Sequence, residues 1–143
     1  MHHYPIKLPL RIDWSEMDLF GHVNNVAYFK YIQASRVNYW EQSALDSMFK
    51  ENKIGPILLS ASCKFIKPLH YPGNILLETG IEFIKNTSFG MHHRILNEHN
   101  EIAAEAHDVI VTFDFDKNEK VLVPDHFRNT VEKIEGRKFT IIP

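Results

Sequence analysis

Between positions 18 and 25 the chain collects Asp18, Gly21, His22, Asn24 and Asn25, and from Val26 onward it turns apolar and helical. One carboxylate, one imidazole and two amides so placed can bind, orient or activate a reacting group. A helix N-terminus adds N–H donors that lack intrahelical acceptors, together with a partial positive charge, where a growing oxyanion can be held. Seven positions separate Asp18 from Asn25, and with Gly21 freeing the backbone such a loop can bring the carboxylate to those donors. His22 can orient water, or hydrogen-bond to Asp18 or to a substrate. The competing reading of Asp18 and Asn25 is turn capping, the common task of Asp and Asn in loops.

Other chemistry-bearing residues are more scattered. Tyr28, one turn into the helix, reads as core or pocket wall. Thr87 and Ser88 form a turn and are candidate substrate contacts. Cys63 is the single cysteine; it rules out an intrachain disulfide and a multi-cysteine zinc site, fits a reducing compartment, and reads as an inert core residue. His92, His93 and His107 would meet around a metal only by accident of strand geometry. No metal and no cofactor is therefore expected. The adjacent His2 and His3 carry no expected role, and no motif supports a Cys/His or Ser/His/Asp nucleophile.

These residues must be positioned by regular elements. Ile6, Leu8, Leu10, Ile12 and Trp14 alternate with polar residues, the period of a half-buried strand, with Pro9 suited to an edge. Val26 to about Ala44 predicts a helix of ~18 residues. Its arc of Val26, Tyr28, Phe29, Ile32, Val37, Tyr39 and Trp40 is wide enough that the helix should be largely wrapped. Arg36 falls inside that arc and requires a carboxylate or carbonyl partner. Met48 to Gly55 reads as a polar connection. Four strand-like runs follow, over 57–67, 75–85, 89–95 and 102–115, with Ile57, Leu59, Ala61, Cys63 and Phe65 sharing one face of the first. The last run changes face, which a bulge near Asp108 would explain. Pro124 opens a short helix to about Ile134, and Lys138–Ile142 could add an edge strand. Short turns between the runs imply antiparallel pairing, and one sheet curled around one helix is the economical arrangement.

With 143 residues, a net charge of −2 and a pI near 6.5, the chain reads as one domain over 1–143 with no general attraction to phosphate. No basic patch supports nucleic-acid binding. No apolar run reaches the ~20 residues of a membrane helix, and no secretory signal pattern opens the sequence. A cytoplasmic protein without membrane association is the expectation.

The order of elements, together with DLFGHVNNVAY at 18–28, resembles the hotdog-fold thioesterases. The resemblance is to the branch containing 4-hydroxybenzoyl-CoA thioesterase, the bacterial long-chain acyl-CoA thioesterases and the acyl-ACP thioesterases. Met17-Asp18, His22-Val23-Asn24-Asn25, Tyr28, Phe65, Lys67-Pro68, Thr87-Ser88-Phe89 and Val123-Pro124 before Phe127-Arg128 carry it, over nearly the whole chain.

It implies an α+β hotdog fold, a curled antiparallel sheet of about five strands wrapped around one long central helix. It also implies hydrolysis of acyl-CoA or acyl-carrier-protein thioesters. Asp18 would be nucleophile or general base, and an N–H at or beside Asn25 would polarise the carbonyl. Asn24, Tyr28, Thr87 and Ser88 would bind substrate. The active unit would be a homodimer or homotetramer, with sites at subunit interfaces. Phe20 stands where plant acyl-ACP thioesterases carry Asn, so their polar relay does not transfer. Asp18-Leu19-Phe20-Gly21-His22 also lacks the Asn and Pro of the sibling hydratases. A non-catalytic acyl-CoA-binding module is the alternative.

Overall fold

The computed structural model describes residues 4–142, so His2 and His3 lie outside it. Strand β1 (Ile6–Arg11) is followed by helices α1 (Asn25–Gln42) and α2 (Leu45–Asn52), then by strands β2 (Ile54–Phe65), β3 (Asn74–Ile84), β4 (Ser88–Leu96), β5 (Ile102–Asp114) and β6 (Glu119–Lys120), and last by helix α3 (Asp125–Glu135). The strands make one curled antiparallel sheet in the order β1-β3-β4-β5-β2, with β6 added to β5. The short turns between β3, β4 and β5 make these three strands neighbours. β1 and β2 end the sheet, which is where Pro9 and Pro56 are tolerated.

Helix α1 starts where the sequence provides a cap. Asn24 Oδ1 accepts the Ala27 N–H at 2.8 Å, while the Asn24 amide donates to the Glu16 carbonyl at 2.8 Å. The helix buries Ala27, Tyr28, Tyr31, Ile32, Ser35 and Tyr39. Val26 and Val37 remain 71% and 43% exposed, so α1 is covered along one side and is not wrapped by its own chain. The expected arc was too wide because it joined this buried face to a second apolar strip, Val26, Phe29 and Val37, that the described residues leave partly exposed.

Two apolar clusters fill the core. One joins Tyr28, Tyr31 and Ile32 to Leu77, Ile95 and Ala104; the other joins Tyr39, Leu45 and Met48 to Phe89, Ile110 and Phe127. Between them lies a buried polar chain with two members from α1 and one each from β3, β4 and β5. Arg36 Nε and His93 Nε2 both reach Asp108 Oδ2, at 2.9 and 2.6 Å. His93 Nδ1 meets the Thr79 hydroxyl at 2.9 Å and the Ser35 hydroxyl at 3.2 Å. Arg36 thus finds the carboxylate it needs.

Four expectations are corrected. The 48–55 connection is largely helical, because Leu45 and Met48 give α2 a buried face at helical spacing. The core face of β5 does not switch: Ala104, Ala106, Asp108, Ile110 and Thr112 continue it, with Asp108 admitted by its partners. The register shifts fall elsewhere, at Leu58/Ser60, Ile81/Phe83 and Ile95/Leu96. On β2 the expected inward face stays largely open: Leu59, the extra residue at the register shift between Leu58 and Ser60, is 64% exposed, and of that face only the Cys63–Phe65 end packs on the core and α1. Trp14 leaves the β1 pattern, entering the 3₁₀ turn Trp14–Glu16 at 73% exposure.

Candidate active site

The loop from Met17 to Asn24 is tied down at both ends before it can present anything. Met17 and Val23 pair across its neck, and Asn24 N–H donates to the Glu16 carbonyl at 2.9 Å. Glu16, buried beneath it, accepts from Asp13 N–H, Tyr31 Oη and Lys30 Nζ at 2.8, 2.7 and 3.0 Å. Burial pushes the Glu16 carboxyl upward, but these three donors outweigh burial and hold it below its usual range.

Within that frame Asp18 closes a tight turn. Its Oδ1 accepts the N–H groups of Phe20 and His22 at 2.8 and 3.1 Å. Its own N–H donates to the His22 carbonyl at 2.7 Å, and Gly21 at φ +83° completes the reversal. Capping and chemistry are therefore compatible: Oδ1 serves the turn, and the exposed side chain keeps Oδ2 for water or substrate. The His22 ring does not contact the carboxylate. It packs edge-on against His70, with centroids 4.8 Å apart.

Asp18, His22, Asn25 and Tyr28 border one open cleft of about 390 Å³, closed on its far side by Phe65, Ile66, Lys67 and Pro68. Asn25 is the first residue of α1. Its N–H and that of Val26 precede the first intrahelical bond and carry the positive end of the helix dipole, while Asn24 already serves Ala27. Tyr28 is buried, its hydroxyl donates to the Lys67 carbonyl at 3.2 Å, and burial pushes that hydroxyl up. Its ring meets Phe65 at 5.0 Å, so it is a wall of the cleft. Asn24 supports the cleft from behind as the helix cap.

Thr87 and Ser88 are not brought to this cleft. They sit at the start of β4, Thr87 just before it and Ser88 as its first residue, and the Thr87 carbonyl accepts the Thr112 N–H at 3.0 Å. The cleft lies toward the other end of the sheet, and a strand as long as Ser88–Leu96 spans roughly 26 Å. The wall from Phe65 to Pro68 was absent from the expected site residues. Its signal was the Lys67-Pro68 pair ending a strand, but nothing local says that the segment folds back on residues 21–23. It does so through the Leu69 carbonyl, which accepts Val23 N–H at 2.8 Å, and through His70 Nδ1, 3.4 Å from the Gly21 carbonyl.

Of the three histidines considered for a metal, His93 faces α1 and is committed to Asp108. Only His92 and His107 meet, on the other side of the sheet. A Ser35–His93–Asp108 array does exist, but its members are buried under α1, where no substrate reaches.

A curled antiparallel sheet, with a carboxylate held before a helix start, defines a hotdog-type protein of thioesterase class. Residues 12–131 match the thioesterase-like superfamily, and the chain belongs to that family. A putative thioesterase from Pseudomonas aeruginosa, PA2801, superposes with a TM-score of 0.81 at 25% identity, over 90% of this chain and 99% of that one. A thioesterase from Thermus thermophilus, complexed with coenzyme A and Zn, superposes with a TM-score of 0.85 at 19% identity, over 97% and 100%. In sequence, the uncharacterized protein YsmA of Bacillus subtilis is 23% identical over 82 residues. That stretch is 57% of this chain and about half, 54%, of YsmA. Among the described residues no helix is long and apolar enough to cross a membrane.

Proposed function

We propose that the protein hydrolyses acyl-CoA thioesters, releasing free acid and thiol at the Asp18 cleft. The observation that supports this most is the meeting of an exposed carboxylate and a helix N-terminus in one cleft. A thioester is already activated, so one carboxylate and preorganised donors suffice. The carbonyl oxygen would take the N–H groups of Asn25 and Val26. Asp18 Oδ2 would attack the carbonyl carbon and expel the thiolate, leaving an acyl–Asp18 anhydride that water then cleaves to free acid and carboxylate; or Asp18 would deprotonate a water that attacks the carbonyl and expels the thiolate directly. His22, turned away from Asp18, is left to orient water or the substrate. Carrier-protein thioesters are the second substrate class consistent with this chemistry.

The active unit is read as a homodimer or homotetramer with the full hotdog arrangement, α1 being central once a second copy covers its open side. The open edge of β2 supports that reading. An antiparallel pairing of two β2 edges reverses direction between copies. It would bring the Thr87–Ser88 end of one copy toward the Asp18 end of the other, giving those residues a route to the substrate. Within one copy, side chains fill the space between α1 and the sheet, so room for an acyl group starts beside Tyr28 and Phe65. The structural relative complexed with coenzyme A lends support to CoA as the carrier.

The test is thiol release from a panel of aliphatic and aromatic acyl-CoAs; absence of release with binding retained would favour the non-catalytic acyl-CoA-binding module. Single-turnover hydrolysis in oxygen-18 water separates the two roles of Asp18, because only the nucleophilic route puts label in its carboxylate.

A further inference from the structure

His92 and His107 are directly opposite residues of β4 and β5, and their rings stack at 4.3 Å with planes 11° apart. His93 points toward α1, so its neighbour His92 points to the other face of the sheet. On that face Gly80 is paired with His92 and offers no side chain. Two residues further along β3 the register shifts between Ile81 and Phe83, which makes Glu82 the extra residue of a bulge. Bulges re-aim side chains, and here Glu82 Oε1 comes within 3.2 Å of His107 Nδ1.

We propose that Glu82, His92 and His107 form a binding site for a late first-row divalent cation, Zn²⁺ being the reference ion, on the sheet face turned away from α1. One donor atom from each of the three lies within 4.8 Å of the others. Tetrahedral zinc with nitrogen and oxygen ligands needs donors roughly 3.4 Å apart, a spacing the Glu82–His107 pair already has. Two imidazoles and a carboxylate suit zinc or nickel rather than magnesium or calcium. The Tyr4 hydroxyl meets His92 Nδ1 at 3.0 Å, the outer-shell contact that fixes a ligating imidazole and directs Nε2 to the ion. The near-parallel stack means that one ring must turn to share an ion. His107, with its side chain 49% exposed, has the room. Three ligands from adjacent hydrogen-bonded strands leave a fourth position for water, and the ion would clamp β3, β4 and β5 together. The site lies on the opposite face from Asp18, so it is independent of the hydrolytic reading.

Calorimetric titration of the full chain with ZnCl₂, with MgCl₂ as control, tests this. One Zn²⁺ per chain is expected, no Mg²⁺ binding, and affinity at least tenfold weaker in His107→Ala and in Glu82→Gln. A His2→Ala/His3→Ala variant should bind as the wild type does. Histidine ring NMR spectra of the wild type supply a readout that does not depend on any variant folding: Zn²⁺ should shift two imidazoles and leave His93 in place. No zinc heat in the wild type would overturn the proposal. So would affinity unaffected by His107→Ala and Glu82→Gln, or binding lost only in the His2/His3 variant.

Discussion

Asp18 is a candidate catalyst because the loop needs only half of its carboxylate. Oδ1 closes the turn to Phe20 and His22, and an asparagine could still provide that acceptor, so Asp18→Asn isolates the charge from the fold. His22→Ala should cost less activity than Asp18→Asn, since its ring leans on His70 and not on the carboxylate; kcat for the two variants on one acyl-CoA gives the ranking. The buried chain through His93 makes a different prediction. Burial pushes the His93 imidazole down, further than Asp108 pulls it up, so it folds neutral. Burial also pushes Asp108 up, but His93 and Arg36 outweigh that and hold it below the usual carboxylate range. Both signs run the same way. The His93 contribution is complete above its ordinary value of 6.5 and is lost as pH falls below it. The Asp108 contribution is complete above 3.8 and is lost toward its lowered value. The melting temperature should therefore drop from pH 7 to pH 5, and drop less in His93→Gln; equal slopes would assign the acid sensitivity to other groups.

At the scale of elements, the start of α1 carries stability and, in the proposed mechanism, chemistry. Asn24→Ala removes the cap on Ala27 N–H and the bond to the Glu16 carbonyl. It should cost about 0.5–2 kcal/mol in denaturant unfolding, together with a loss of kcat, since the neighbouring donors lose their fixed direction. A variant losing stability with kcat intact would separate the cap from the site. Much of this element was legible in the sequence. Gly21 announced a turn and the apolar run from Val26 a helix, and the strand-like runs announced β1, β3 and β4. What stayed hidden depends on contacts distant in sequence. Asp108 looked like a break in a strand because its partners, Arg36 and His93, arrive from α1 and β4. Phe65 to Pro68 became a site wall only because that segment packs on residues 21–23. Leu45 and Met48 carried a helical signal, but the polar residues around them masked it.

For the whole molecule, the open edge of β2 and the exposed apolar strip of α1 support the proposed homodimer or homotetramer. Leu59→Asp, at an exposed position of that edge, should lower the molar mass seen by light scattering and reduce turnover together. A stable, fully active monomer would remove the subunit-interface reading and leave Thr87 and Ser88 as turn residues. The central claim is tested most directly by thiol release from acyl-CoA by wild type and Asp18→Asn, with melting temperatures measured alongside. Release by the wild type, reduced about 100-fold or more in the variant at an unchanged melting temperature, is the predicted result. Equal rates in the two proteins, or no release by the wild type from any acyl-CoA, would contradict it.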